Sequence, residues 1–177
     1  MSDTPHITFV CTGNAARSVM ARAMFAHRAG DSFSTSGAGT LVVDGLPMSQ
    51  RTRNALGNFG LADPGHRSRQ LDQEHIERSD LLVVMEPAHV QWMRRKHPDG
   101  ADRTGTIKRL VRDLPATDGL LHERVQALSL ATVEIEAWEE VIDPAAGEQP
   151  DFDACAAQLD QLVEELVTIM LAGRRAA

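Results

Sequence analysis

The sequence predicts an α/β fold, a parallel sheet with helices on both faces. Two observations carry the prediction: short β-branched runs recur along the chain, and segments with helical periodicity separate them. A third is that "DLLVVM", Asp80 to Met85, is apolar throughout, as a strand covered on both faces must be. With 177 residues the chain can bury the core of one ordinary domain, and residues 1–177 are read as a single domain.

The first run, "HITFVC", suits a buried strand. In "RSVMARAMFAHRAG" the residues Val19, Met20, Ala23, Met24 and Ala26 recur at helical spacing, and Gly30 is placed to end the helix. "SFSTSGAGT" reads as a short strand entering a glycine turn. "LPMSQRTRNALGNFG" reads as a helix opening near Pro47 and closing at Gly60. After "DLLVVM", "EPAHVQWMRRKH" is helical, with Pro87 tolerated in its first turn. "GTIKRLV" is expected to be a strand, and "HERVQALSLATVEIEAWEEV" to be mostly helical. "DFDACAAQLDQLVEELVTIMLAGRR" is an amphipathic helix with Cys155, Leu159, Val163, Leu166 and Met170 on its apolar side. Arg174 and Arg175 would complement the end of its dipole. The loops around "DPGHRSRQLD" and "DPAAGEQPDFD" are polar surface loops.

Composition excludes several classes. A net charge of −7 argues against general affinity for nucleic acid or an anionic membrane. No apolar run reaches transmembrane length. The opening "MSDTPHITFV" lacks a basic stretch followed by an apolar one, so no secretory signal is expected. Two cysteines, Cys11 and Cys155, cannot build a disulfide framework, and a reducing cytoplasm is the expected compartment. The histidines form no metal-binding pattern, so no metal is expected. "TSGAGT" lacks the Gly-Lys ending of a nucleotide loop and is read as a turn beside the first loop. His66 is read as a solvated loop histidine.

That loop, "VCTGNAARS", holds the chemistry. Cys11 stands at the carboxyl end of the first strand, where ligands bind in open parallel sheets. Thr12, Gly13, Asn14, Ala15 and Ala16 form a small, flexible turn whose amides can converge on an anion, and the helix N-terminus adds positive charge. Arg17 would close the cup with a planar fork that suits phosphate oxygens. The same field lowers a thiol from its ordinary pKa near ~8.5, making Cys11 a candidate nucleophile. Ser18 could donate its hydroxyl to that sulfur, Asn14 suits left-handed backbone or holding the loop by hydrogen bonds, and Gly13 permits a φ that other residues resist. Cys155, on an apolar helix face, is read as packing only. A cysteinyl-phosphate mechanism also needs an acid for the leaving oxygen. Asp143, in "EVIDPAAG", sits in a turn fixed by Pro144 and is the candidate.

These residues resemble the low-molecular-weight protein tyrosine phosphatases. The likeness runs through "ITFVCTGNAARSVMA", "SGAGT", "PMSQRT", "HRSRQL", "SDLLVVME" and "VIDPAAGEQPDFDAC". It implies a three-layer α/β/α fold on a four-stranded parallel sheet, with no metal or organic cofactor. By the same resemblance Cys11 is the nucleophile, Arg17 the phosphate-binding arginine, Ser18 the helper of the thiolate, Asn14 the loop organiser and Asp143 the general acid. The substrate implied is a phosphate monoester, a phosphotyrosine or a small aryl or alkyl phosphate, on a protein or a small molecule. A monomer or weak dimer is expected. Three departures stand out. Ala16 replaces the second cysteine that many members carry before the arginine. Ala145 and Ala146 follow Pro144, where members active on phosphotyrosine carry aromatics. Residues 113–140 are longer than in compact members and are expected to add a helical segment over the cleft. The alternative is an arsenate reductase of the same superfamily working with a small external thiol, because the relay kind needs two further cysteines.

Overall fold

The computed structural model describes residues 4–175. Four strands form one parallel sheet in the order β2-β1-β3-β4: β1 His6–Cys11, β2 Ser34–Gly39, β3 Leu81–Val84 and β4 Thr104–Thr106. Seven helices of the described residues surround it: α1 Arg17–Ala29, α2 Gln50–Gly57, α3 Gln73–Arg78, α4 Pro87–Lys96, α5 Ile107–Asp113, α6 Leu121–Ala127 and α7 Gln149–Arg175. The expected three-layer α/β/α arrangement is present.

Alternation along β1 sorts its side chains between two cores. Ile7, Phe9 and Cys11 face α1, α5 and α7, with Val19, Met20, Met24, Phe25, Leu110, Leu159 and Leu166 behind them. Val10 faces the other way, with Ala38, Leu82, Val84, Ile76, Val90 and Met93, under α3 and α4. Both faces are therefore covered, which is why β3 is apolar at every position. Gly30 ends α1 at φ 53°, where a side chain would be strained. No described helix is long and apolar enough to cross a membrane.

Four expectations are corrected. α2 starts after Ser49, whose hydroxyl accepts from the Thr52 amide at 3.2 Å, and not near Pro47. "GTIKRLV" is strand only to Thr106; that side chain accepts from the Arg109 amide at 3.2 Å and turns the chain straight into α5. α3, capped by Asp72, was not foreseen. In the 121–140 stretch only Leu121–Ala127 is helical. Ser129 adopts φ 52° and the β-branched residues Thr132, Val133 and Ile135 come after it, so the helix does not resume before a short turn at Ala137–Glu139. Nor does the helix of this insertion, α6, lie over the cleft. Arg124 of α6 donates to the carbonyls of Ile169 at 3.0 Å and Leu114 at 3.2 Å. Ile169 lies about 30 Å along α7 from its first residue, and that first residue is the end nearest Asp143. The side chains of Arg174 and Arg175 lie outside the described residues.

Candidate active site

The loop after β1 is held from outside by its carbonyls. Cys11 O accepts from the Thr40 amide and Thr12 O from the Leu41 amide, each at 3.0 Å. Asn14 O accepts from Ser68 Oγ at 2.9 Å and bonds His66 Nε2 at 2.8 Å; Ala15 O accepts from Thr52 Oγ1 at 2.9 Å. In a trans peptide the amide opposes the preceding carbonyl. The amides of Thr12, Gly13, Ala15 and Ala16 therefore point away from these anchors, into the cup, and α1 begins at its floor with Arg17.

Gly39 is what lets the cup sit so low against the sheet. A Cβ there would lie 2.5 Å from Thr12 O and 2.9 Å from Asn14 N. Within the loop it is Asn14, at φ 49°, that takes the left-handed conformation. Gly13 does not use the φ that its lack of a side chain permits, and a Cβ there would meet nothing within 4 Å. The ring of contacts also corrects His66: it is buried and bonded to the loop, not solvated. Burial pushes its imidazole below the ordinary range, against the Asn14 hydrogen bond. Ser36 does not reach the cup; it bonds His6 and Thr8 at 2.8 Å.

Cys11 and Ser18 meet as expected, with Sγ 3.0 Å from Oγ. The Asn14 amide fixes the direction of that bond. Its Oδ1 accepts from the Arg69 amide at 3.1 Å, so its Nδ2 donates to Ser18 Oγ at 3.0 Å. With a lone pair so engaged, the Ser18 hydroxyl has its proton free for the sulfur. Cys155 is buried beneath the site in the α7 core. Burial pushes its thiol up to about 12, with Arg17 opposing and Asp143 and Cys11 adding, so it stays protonated at neutral pH.

Arg17 is 1% exposed and links three parts of the fold. Its Nη1 donates to Glu86 Oε2 at 2.5 Å and to Val141 O at 2.9 Å; its Nη2 donates to Asp143 Oδ2 at 2.8 Å. Burial works against this charge. The Glu86 hydrogen bond and the charges of Asp143, Cys11 and Glu86 outweigh burial and push the guanidinium above its ordinary range. Asp143 in turn caps its own turn, accepting from the Ala145 amide at 3.1 Å. Sequence reasoning placed Arg17 and Asp143 but missed Glu86, whose signal was its position one residue past the apolar strand run.

His89 was missed as well. It is buried, its Nδ1 receives the Met85 amide at 3.4 Å, and its Nε2 lies 3.0 Å from Thr12 Oγ1. That pattern fixes the neutral tautomer protonated at Nε2. Burial lowers its pKa from 6.5 to about 4; Glu86 and Asp143 oppose the shift and Arg17 adds to it. Unfolded chains take up this proton near pH 6.5 and the fold only near 4, so stability falls as pH drops through that window. The full cost is about 3 kcal/mol at pH 4. Urea unfolding at pH 7 and pH 4 should show wild type losing about that much more than His89→Gln. Equal losses would contradict it.

Leu41, beside the loop, is 77% exposed, and Ile142, beside Asp143, is 75% exposed. Ala145 and Ala146 continue the Asp143 side.

Comparison with known proteins agrees with this geometry. The family described as low molecular weight phosphotyrosine protein phosphatase matches residues 6–175. A low molecular weight protein-tyrosine-phosphatase of Streptomyces coelicolor is 30% identical, over 97% of this chain and 94% of its own. The YwlE arginine phosphatase structure from Geobacillus stearothermophilus superposes with a TM-score of 0.80 at 26% identity, over 97% and 96% of the two chains. A YwlE mutant carrying a phosphorylated active-site serine gives a TM-score of 0.77 at 25% identity, over 97% and 99%.

Proposed function

The chain belongs to the low molecular weight phosphotyrosine protein phosphatase family and is a cysteine-dependent phosphatase, and we propose that Cys11 is its nucleophile, Arg17 its phosphate clamp and Asp143 its general acid. The observation that carries the assignment is the Arg17 fork, which joins the floor of the cup to the acid through Asp143 Oδ2. An arriving phosphoryl group takes over the Nη2 donor and releases that oxygen toward the leaving atom. Cys11 Sγ attacks phosphorus, the bond to the leaving group breaks, and Asp143 supplies the proton that the leaving atom takes. Asp143 then accepts a proton from water as the water oxygen attacks phosphorus and the S–P bond breaks. Ser18 Oγ–H, already directed at Sγ, stabilises the departing sulfur. We take a monomer as the working unit, because Cys11, Ser18, Arg17 and Asp143 meet within one fold.

The substrate class is argued from the mouth. Phosphotyrosine presents a flat ring that gains from aromatic neighbours by about 1 kcal/mol per pair, and the exposed large side chains whose backbones adjoin the cup loop and Asp143 are the aliphatic Leu41 and Ile142. A phosphorylated arginine presents a flexible aliphatic stem that packs on such side chains. The guanidino nitrogen that leaves phosphorus then meets the Asp143 carboxyl, its proton donor, as that group leaves Arg17. The full-length likeness to an arginine phosphatase supports the same reading. We therefore take protein phosphoarginine as the preferred substrate. One peptide, synthesised with phosphoarginine or phosphotyrosine at the same position, tests this. At least about tenfold higher kcat/KM is expected for phosphoarginine, a difference of roughly 1.4 kcal/mol in transition-state binding. The opposite order would overturn the substrate assignment and leave the nucleophile untouched.

A further inference from the structure

Away from the cup, a buried charged cluster ties the end of β4 to the chain that enters the Asp143 loop. Glu139 is 1% exposed and lies in the turn that leads into that loop. Its Oε1 accepts from Arg109 Nη2 at 2.5 Å and from the Glu136 amide at 2.8 Å; its Oε2 accepts from Thr106 Oγ1 at 2.7 Å. Burial pushes this carboxyl up, but the hydrogen bonds from Arg109, Thr106 and Glu136 outweigh it and hold it below the usual carboxylate range. Arg109 also donates to Glu134 O at 2.7 Å, and its buried Nε has no partner. A buried ion pair of this kind is poor evidence for stability, since apolar residues of the same volume commonly do as well. What it does supply is a fixed position.

That fixed point lies four residues before the acid. Thr106 ends β4 at the carboxyl edge of the sheet, in register with Val84. From the clamp at Glu139 the backbone runs to Val141, whose amide donates to Met85 O at 2.8 Å and whose carbonyl accepts from Arg17. Asp143 comes next but one. Four residues of extended chain span at most about 14 Å, so anchoring Glu139 limits how far Asp143 can swing.

We propose that Glu139, clamped by Arg109 and Thr106, is a positioning residue that sets the reach of Asp143 toward the leaving atom. This rests on Asp143 being the general acid. Misplacing an acid harms poor leaving groups far more than good ones, because only the poor ones need the proton. It does not weaken the cup, whose anchors lie elsewhere.

The test compares kcat/KM for phenyl phosphate and 4-nitrophenyl phosphate in wild type, Glu139→Gln and Asp143→Ala, with inorganic phosphate as competitive inhibitor. For Glu139→Gln we expect about a tenfold loss on phenyl phosphate, less than about threefold on 4-nitrophenyl phosphate, and phosphate inhibition within about twofold of wild type. Equal losses on both esters, no loss, or weakened phosphate inhibition would overturn the proposal. Asp143→Ala reports on the premise separately: it should show the same selectivity more steeply, and if it does not, the acid assignment fails. Should Glu139→Gln not fold, Thr106→Val decides, with the same selective loss expected, and Thr106→Ser, which keeps the hydroxyl, should restore the wild-type ratio. Equal losses on the two esters in Thr106→Val, no loss there, or failure of Thr106→Ser to restore the wild-type ratio would also overturn the proposal.

Discussion

Replacing Cys11 by serine abolishes turnover, by at least about 10⁴-fold, while the cup still takes up inorganic phosphate. The exchange is nearly isosteric, and Ser18 Oγ, 3.0 Å from the Cys11 sulfur, stays beside the substituted atom as a hydrogen-bond partner. What is lost is nucleophilicity. A serine hydroxyl is a far weaker nucleophile than a thiolate at neutral pH, and its neighbour Ser18, itself fixed by Asn14, is placed to donate to the attacking atom, not to take its proton. Cys155 cannot stand in, because burial keeps it a thiol. Isothermal titration with phosphate should therefore still report binding, because the amides that face the cup and the Arg17 fork are unchanged. Steady-state assays of the purified variant should report nothing above background. Residual turnover of more than about a hundredth of wild type would move the nucleophile elsewhere.

The legible part of this molecule was local. β1, α1, β3 and α4 could be read because each is a single run with one period, and Gly30 and Pro87 punctuate them where backbone chemistry demands. Cys11, Arg17 and Ser18 could be read together because they lie within one short loop, and Asp143 because a proline fixes its turn. The residues that complete the site were not legible. Glu86, His66 and His89 are ordinary polar residues in sequence and acquire roles only when strand order brings β3 beside β1 and folds the 66–69 loop under Asn14. The misreading of 121–140 has the same origin. Its helix-forming residues are real, but Ser129 in left-handed backbone and the carbonyls drawn to Arg94 from Leu130 and Val133 favour an irregular path. Tertiary partners override propensity there. Gly13 and Asn14 both suit left-handed backbone, and the structure gives that position to Asn14, as its side chain allows.

Replacing Arg17 by lysine costs about 10³-fold in kcat/KM, despite conserving the charge. The guanidinium reaches Glu86 and Val141 O with one nitrogen and Asp143 with the other. A lysine ammonium has a single nitrogen on a thinner stem. It can satisfy Glu86, which is close and anionic, but not the acid loop at the same time. Two effects then coincide. Phosphate loses its planar two-point contact, raising the inhibition constant for inorganic phosphate, and Asp143 loses the link that holds it over the cup. The second effect separates this variant from a weaker phosphate binder. If Arg17 only bound the phosphate of the ground state, raising substrate concentration would restore the rate and leave kcat untouched. Because it also stabilises the transferring phosphoryl group and brings the acid to the cup before substrate displaces it, kcat itself should fall, and fall further for phenyl phosphate than for 4-nitrophenyl phosphate. A change confined to KM, or equal falls in kcat on the two esters, would show that the Arg17–Asp143 contact of the empty cup does not place the acid for the reaction.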